Sequence, residues 1–242
     1  MLKIAAIGVV LLASMTGGLT LAADAPEGLR SALDELIPGR SPDKVRETPI
    51  DGLYEVTYGS QVVYFTEDGR YLVKGDLIDL ERHVNLTEKA RNGVRRKLMA
   101  RVDEGQMIAF GPKDAEHTIN VFTDVECPYC RKLHREMDQL NEHGIRVRYL
   151  LFPRAGAGSS SYKQSVDVWC ADDQQRALTR AKSGQSVKDR QCEHPIEEHM
   201  ALGKKVGVTG TPAIVLSDGT MIPGYQPADR LAKMLDRREG GG

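Results

Sequence analysis

The stretch that most constrains this 242-residue chain is Phe122-Thr-Asp-Val-Glu-Cys-Pro-Tyr-Cys130, a strand-like run ending in two cysteines separated by two residues. That spacing lets Cys127 sit at a helix N-terminus with Cys130 about one turn further in, an arrangement suited to making and breaking disulfides. A thiolate, not a thiol, attacks a disulfide, so the first cysteine needs a lowered pKa. A helix N-terminus supplies partial positive charge and free backbone N–H groups that favour the anion. Pro128 fits the first helical turn, where the N–H it lacks is not needed. Cys127 therefore reads as the nucleophile and Cys130 as the resolving thiol that releases a mixed disulfide, with Pro128 and Tyr129 as the tuning dipeptide. A lower thiolate pKa makes Cys127 a better leaving group and costs some nucleophilicity. A structural disulfide and half of a metal site are the competing readings. A zinc ribbon needs a second close pair, whereas Cys170 and Cys192 have 21 residues between them. His134 could share a helix face with Cys130 as a ligand, but reads as a surface residue. Neither a metal nor a cofactor is expected.

The first 23 residues read as an export signal. Lys3 is their only charge, an apolar run over 4–12 follows, and Thr20-Leu-Ala-Ala-Asp-Ala25 suits cleavage after Ala22 or Ala23. An uncleaved N-terminal anchor is the alternative, but the run is short for a membrane span and no later stretch reaches the roughly 18 apolar residues needed. Export to an oxidising compartment makes disulfides the expected state of an even number of cysteines. None of the four precedes Cys127, so the N-terminal half must be held by packing alone. The net charge of −1 gives no electrostatic case for nucleic acid or for stable association with an anionic membrane.

At 242 residues, two domains are expected. Residues 24–84 read as an α+β N-terminal domain. It opens with an amphipathic helix over 28–37 carrying Leu29, Leu33, Leu36 and Ile37, then strands over 53–58 and 62–66. A tight two-residue turn at Asp68-Gly69 leads to a meander through 71–74 and 76–80. About 60 residues without a disulfide make a marginal core, which favours pairing with a second copy; a monomeric capping domain is the alternative. Residues 85–105 read as a helical linker with Thr87 as N-cap, Arg91, Arg95, Arg96, Lys97 and Arg101 exposed, and Gly93 a weak point. Residues 106–238 read as the catalytic domain. It has a strand over 117–123, a helix over 127–140 and a parallel strand over 145–152, followed by helical pieces over 162–200. A hairpin over 213–222 and a helix over 227–238 close it, and 239–242 form a flexible tail.

Thr211-Pro212 stands just before the closing hairpin, where a strand-initiating trans proline would be the ordinary reading. Taken together, Val121-Phe-Thr-Asp124, Cys127-Pro-Tyr-Cys-Arg-Lys-Leu-His134, Val147-Arg-Tyr-Leu-Leu-Phe-Pro-Arg154, Trp169-Cys170, Gly210-Thr-Pro-Ala-Ile-Val-Leu-Ser217, Pro223-Gly-Tyr-Gln-Pro227 and Val63-Tyr-Phe-Thr-Glu-Asp-Gly69 resemble the DsbC/DsbG family of periplasmic thiol:disulfide interchange proteins. The resemblance implies an α+β, cystatin-like N-terminal dimerisation domain and an α/β thioredoxin-fold domain with a helical insertion. It further implies a V-shaped homodimer with two dithiols facing one cleft, and a cis Pro212 with Thr211 beside the dithiol. A structural Cys170–Cys192 disulfide, worth about 3 kcal/mol by loop closure, and the membrane reductase DsbD as electron donor are also implied.

The implied activity is isomerisation of non-native disulfides in misoxidised exported proteins, with chaperone-like binding of unfolded clients. The dipeptide departs from the family's usual Gly-Tyr and matches DsbG and glutaredoxins, so a reductase protecting single cysteines stays open. A dimeric holdase whose dithiol is incidental and a monomeric oxidant stay open as well. Asp124 is close enough in sequence to influence Cys127 but reads as a structural cap or pair, and Glu126 as a solvent neighbour.

Overall fold

The computed structural model describes residues 25–239. The expected export signal, its cleavage point and the tail beyond residue 239 lie outside the described residues. The chain divides into two compact units, one of residues up to 56 and 64–72, the other of 57–63 and 73 onward.

In the first unit, α1 (Glu27–Leu36) buries Leu29 and Leu33. Leu36, expected on the same face, is exposed at the last residue of the helix. A four-stranded sheet runs β1-β2-β3-β4 through β1 (Lys44–Glu47), β2 (Leu53–Tyr58), β3 (Gln61–Thr66) and β4 (Leu72–Val73). β1 carries no apolar alternation to announce it. Its Arg46 grips the buried Glu55 carboxylate with two nitrogens, each at 2.7 Å. The β3–β4 connection is longer than a two-residue turn. Only Gly69 takes a positive φ there, and a Cβ at that position would lie 2.5 Å from the Gly28 carbonyl oxygen. The meander stops at β4. In the second unit the hydroxyl of Thr87 accepts the Leu77 N–H at 2.7 Å, and β5 (Ile78–Asp79) pairs with β6 (Val84–Asn85) rather than with β4.

The second unit includes α2 (Leu86–Met99), which runs unbroken through Gly93. Its cap is Asn85, whose side chain accepts from Glu88 N–H; Thr87 is buried within the first turn. Arg95 is also buried rather than exposed, donating Nε–H to the Val206 carbonyl at 3.0 Å and Nη1–H to Glu88 at 3.1 Å.

The central sheet has the order β11-β10-β8-β9-β7. β8 (His117–Thr123) and β9 (Ile145–Leu151) are parallel, with Val121 opposite Tyr149. β7 (Ile108–Phe110) adds an antiparallel edge to β9, while β10 (Ala213–Val215) and β11 (Met221–Pro223) close the other side. Alternation along β8 and β9 splits the core. Ile119, Val121, Tyr149 and Leu151 join one apolar cluster with Leu133 and Leu178, whereas Phe122, Leu150 and Phe152 join another with Val206 and Val215. The helix expected over 127–140 is two pieces, α3 (Pro128–Arg135) and α4 (Met137–Glu142). Glu136 leaves helical geometry between them, its carboxylate accepting from the Tyr225 hydroxyl and, at 2.9 Å, from the Ala228 N–H at the start of α8 (Ala228–Glu239). The insertion contains α5 (Ser160–Trp169), α6 (Gln174–Lys182) and α7 (Ile196–Val206).

Candidate active site

The short path from β8 into α3 fixes the site. Asp124 organises it: one carboxylate oxygen accepts the Glu126 N–H at 2.8 Å, the other accepts the Arg154 N–H and Nε–H at 3.0 and 3.2 Å. Its carbonyl accepts the Cys127 N–H, and Arg131 Nε donates to the Val125 carbonyl. Glu126 faces solvent and accepts from Gln164. Cys127 is the N-cap of α3 and Pro128 its first residue.

Both thiols are unbonded and buried, Cys127 being 2% exposed and Cys130 fully enclosed. Thr211-Pro212 is cis, and the Cys127 sulfur lies 3.2 Å from the Thr211 carbonyl oxygen, to which it can donate only while protonated. The Thr211 hydroxyl is buried without a partner at hydrogen-bond geometry, so its pull on the Cys127 sulfur is that of a nearby dipole rather than a formed bond. Tyr129, by contrast, is 62% exposed and stacks on Tyr225 with ring centres 6.4 Å apart, and Lys132 Nζ lies 4.5 Å over the Tyr225 ring.

The two thiols are driven apart in acidity. Hydrogen bonding from the Cys130 thiol, then the Thr211 side chain, the Cys130 backbone N–H and the Arg154 charge lower Cys127 to about 5, against the opposing effect of burial. Burial first, and then the hydrogen bond it gives to Cys127, push Cys130 well above an ordinary thiol. At neutral pH the site holds a thiolate beside a thiol.

The other cysteine pair is bonded: Cys170–Cys192 has an S–S distance of 2.07 Å. His134 is not the surface residue that its polarity suggests. It is buried, with Nδ1 3.2 Å from the Tyr149 hydroxyl and Nε2 3.0 Å from Thr179 Oγ1, and burial followed by the Lys182 charge lowers it to about 3. Among the described residues no group of three or more His, Cys, Asp or Glu is placed to hold a metal, and no helix is long and apolar enough to cross a membrane.

Arg154, Tyr225 and Lys182 join the site from distant segments and are not singled out by the motif. Only Lys182 leaves a local trace, as a charge in line with the buried positions Ala177, Leu178 and Ala181 of α6.

A stable thiolate over an enclosed second thiol exchanges disulfides, and on this sheet it defines a thioredoxin-like thiol:disulfide interchange protein. The chain belongs to the DsbC family. Residues 104–239 match the family model of a thioredoxin-like domain, and residues 20–88 that of the disulfide bond isomerase protein N-terminal domain. The chain is 39% identical to the thiol:disulfide interchange protein DsbC of Salmonella typhimurium over 95% of its length and 94% of that protein's. It is 40% identical to the DsbC of Dickeya dadantii, with 94% of each chain covered. Among solved structures, a disulfide interchange protein from Neisseria gonorrhoeae superposes with a TM-score of 0.51 at 25% identity, over 56% of this chain and 97% of that one.

Proposed function

We propose that the protein is a periplasmic disulfide isomerase. The observation that carries this reading is the opposed acidity of Cys127 and Cys130. The Cys127 thiolate attacks a non-native disulfide in an exported client, forming a mixed disulfide and releasing one client thiolate. A second client thiol then displaces Cys127 and leaves the client reshuffled. When that fails, Cys130 displaces the client, which departs reduced while the site becomes a Cys127–Cys130 disulfide. Resetting needs an electron donor, for which the family's membrane reductase DsbD is the candidate. Thr211 and Pro212 border the reacting sulfur, Pro128 and Tyr129 tune it, and Cys170–Cys192 is structural.

Residues 24–84 would form the dimerisation domain, 85–105 the helical connection and 106–238 the catalytic domain, following an export signal over 1–23. The apolar residues Tyr71, Leu72 and Val73, exposed at the β4 edge of the first sheet, support pairing with a second copy. Such a homodimer would hold unfolded clients between two dithiols and act as a chaperone without sequence specificity.

In a scrambled-disulfide refolding assay, Cys127→Ala should abolish activity; retained activity would sink the assignment. The Pro128-Tyr129 dipeptide favours a second reading, reduction of single oxidised cysteines in the manner of DsbG. Clients trapped on Cys130→Ala discriminate: several cysteines per client support isomerisation, and one per client supports the reductase.

A further inference from the structure

Lys182 is the feature of this domain that dithiol exchange leaves unused. It is 3% exposed, whereas Arg176 and Arg180 of the same helix face solvent. Burying an ammonium is costly unless an anion compensates it. Among the described residues no carboxylate oxygen lies within 4 Å of it. Its Nζ instead donates to Thr123 Oγ1 at 2.7 Å and lies 5.2 Å from the centre of the Tyr149 ring. Thr123 is the last residue of β8, and its side chain sits near enough to the Cys130 sulfur to favour the anion there, as a neighbouring dipole rather than a formed hydrogen bond. The anions acting on Lys182 are therefore the dithiol and, beyond ion-pair distance, Asp124, and the Thr123 hydroxyl is the group that its amine touches on the side of the resolving sulfur.

We propose that Lys182, acting through the Thr123 hydroxyl, takes up the Cys130 proton as Cys130 attacks the mixed disulfide, which makes it a positioning residue of the resolving step. The proposal rests on the exchange chemistry above. Burial lowers Lys182 to about 8, near enough to neutrality for the amine to release and accept a proton at working pH.

The surrounding charges give the timing. In the reduced protein the Cys127 thiolate and Asp124 favour the ammonium, Cys130 adds to them only as it ionises, and Arg131 opposes it. His134 and Tyr149 also face the amine, but burial keeps both neutral through the working range. Once Cys127 is bonded to a client its negative charge is gone, and Lys182 loses its proton to water more readily. As Cys130 attacks, its S–H bond breaks and the proton passes through Thr123 to the neutral amine. The sulfur's electron pair forms the bond to Cys127 Sγ, and the Cys127–client bond breaks with its electrons leaving on the client sulfur. The client gains two electrons and the Cys127–Cys130 pair loses them.

The probe is 5,5′-dithiobis(2-nitrobenzoate), with stopped-flow absorbance of released thionitrobenzoate. The first release reports attack by Cys127 and the second reports resolution by Cys130. In Lys182→Met, which fills the site with an apolar chain, the second phase should slow about tenfold or more at pH 7. Its pH profile should move upward by about one unit, with the first phase little changed. Thr123→Ala should slow the same phase with the lysine still present, and decides the matter should Lys182→Met fail to fold. Wild-type second-phase rates and pH profile in either folded variant, or equal slowing of both phases, would overturn the proposal. A wild-type protein lacking the first phase would instead overturn the exchange reading beneath it.

Discussion

The two cysteine pairs of the second unit lie in contrasting settings. Cys127 and Cys130 are locked into a rigid joint, where β8 enters α3 and Asp124 ties the turn to Arg154. They are nonetheless left unbonded. Cys170 ends α5, and Cys192 lies in an irregular stretch over 185–195 that is otherwise held by contacts such as the Arg190 N–H to Asp167 at 2.9 Å and the Arg190–Asp172 ion pair. That pair is bonded. In the loop a covalent link supplies order that secondary structure does not. At the helix N-terminus the fold is ordered without the link, and the sulfurs are free to differ in charge. Cysteine chemistry here follows from what the surrounding backbone already fixes.

The largest effect expected from this contrast is in reactivity. In reduced protein, alkylation of Cys127 by iodoacetamide should follow its thiolate, rising through about pH 5 and level above it. The sign follows from the lowered pKa: the anion persists until pH falls through that value, whereas an ordinary thiol is nearly all protonated at pH 6. The advantage over such a thiol at pH 6 is about 10²-fold. Cys130, enclosed and pushed upward, should stay unlabelled across the same range. Peptide mapping of the labelled protein checks both statements; a Cys127 profile centred near that of a free thiol, or equal labelling of Cys130, would remove the asymmetry on which the proposed chemistry rests.

The second pair should answer in stability rather than chemistry. Replacing Cys170 and Cys192 together by alanine should cost about 3 kcal/mol in urea unfolding, from the loop-closure entropy restored to the unfolded chain. The Cys127 alkylation profile should not move. A shifted profile with intact stability would mean that the disulfide positions the dithiol rather than the loop.

The dithiol, the βαβ unit around it and the closing hairpin are legible in the sequence because apolar periodicity and local spacing encode them. His134, Arg95 and Thr87 depart from their expected places for one physical reason. A polar side chain is taken as exposed unless its partner is known, and their partners Tyr149, Val206 and Leu77 lie 15, 111 and 10 residues away. β1 and β7 are short edges whose order comes from the neighbouring strand, not from their own pattern. Arg154 is visible only as part of a matching stretch; its grip on Asp124 spans 30 residues and has no local signature.

The smallest expected effect concerns the collar outside the dithiol, where contacts do by packing what the disulfide does covalently in the insertion. Tyr225 joins three parts of it: Tyr129 stacked on its ring, Lys132 above the ring, and Glu136 accepting from its hydroxyl. Tyr225→Phe keeps the ring and loses the hydroxyl contact, while Tyr225→Leu loses both. Stacking and a part-buried hydrogen bond each contribute about 1 kcal/mol, so urea unfolding should rank wild type above Phe and Phe above Leu in steps of that size. Neither substitution touches a group that lowers Cys127, so its alkylation midpoint should stay in place. If Leu proved as stable as Phe, the stack would be incidental and the exposure of Tyr129 would need another cause, such as direct use in holding a client.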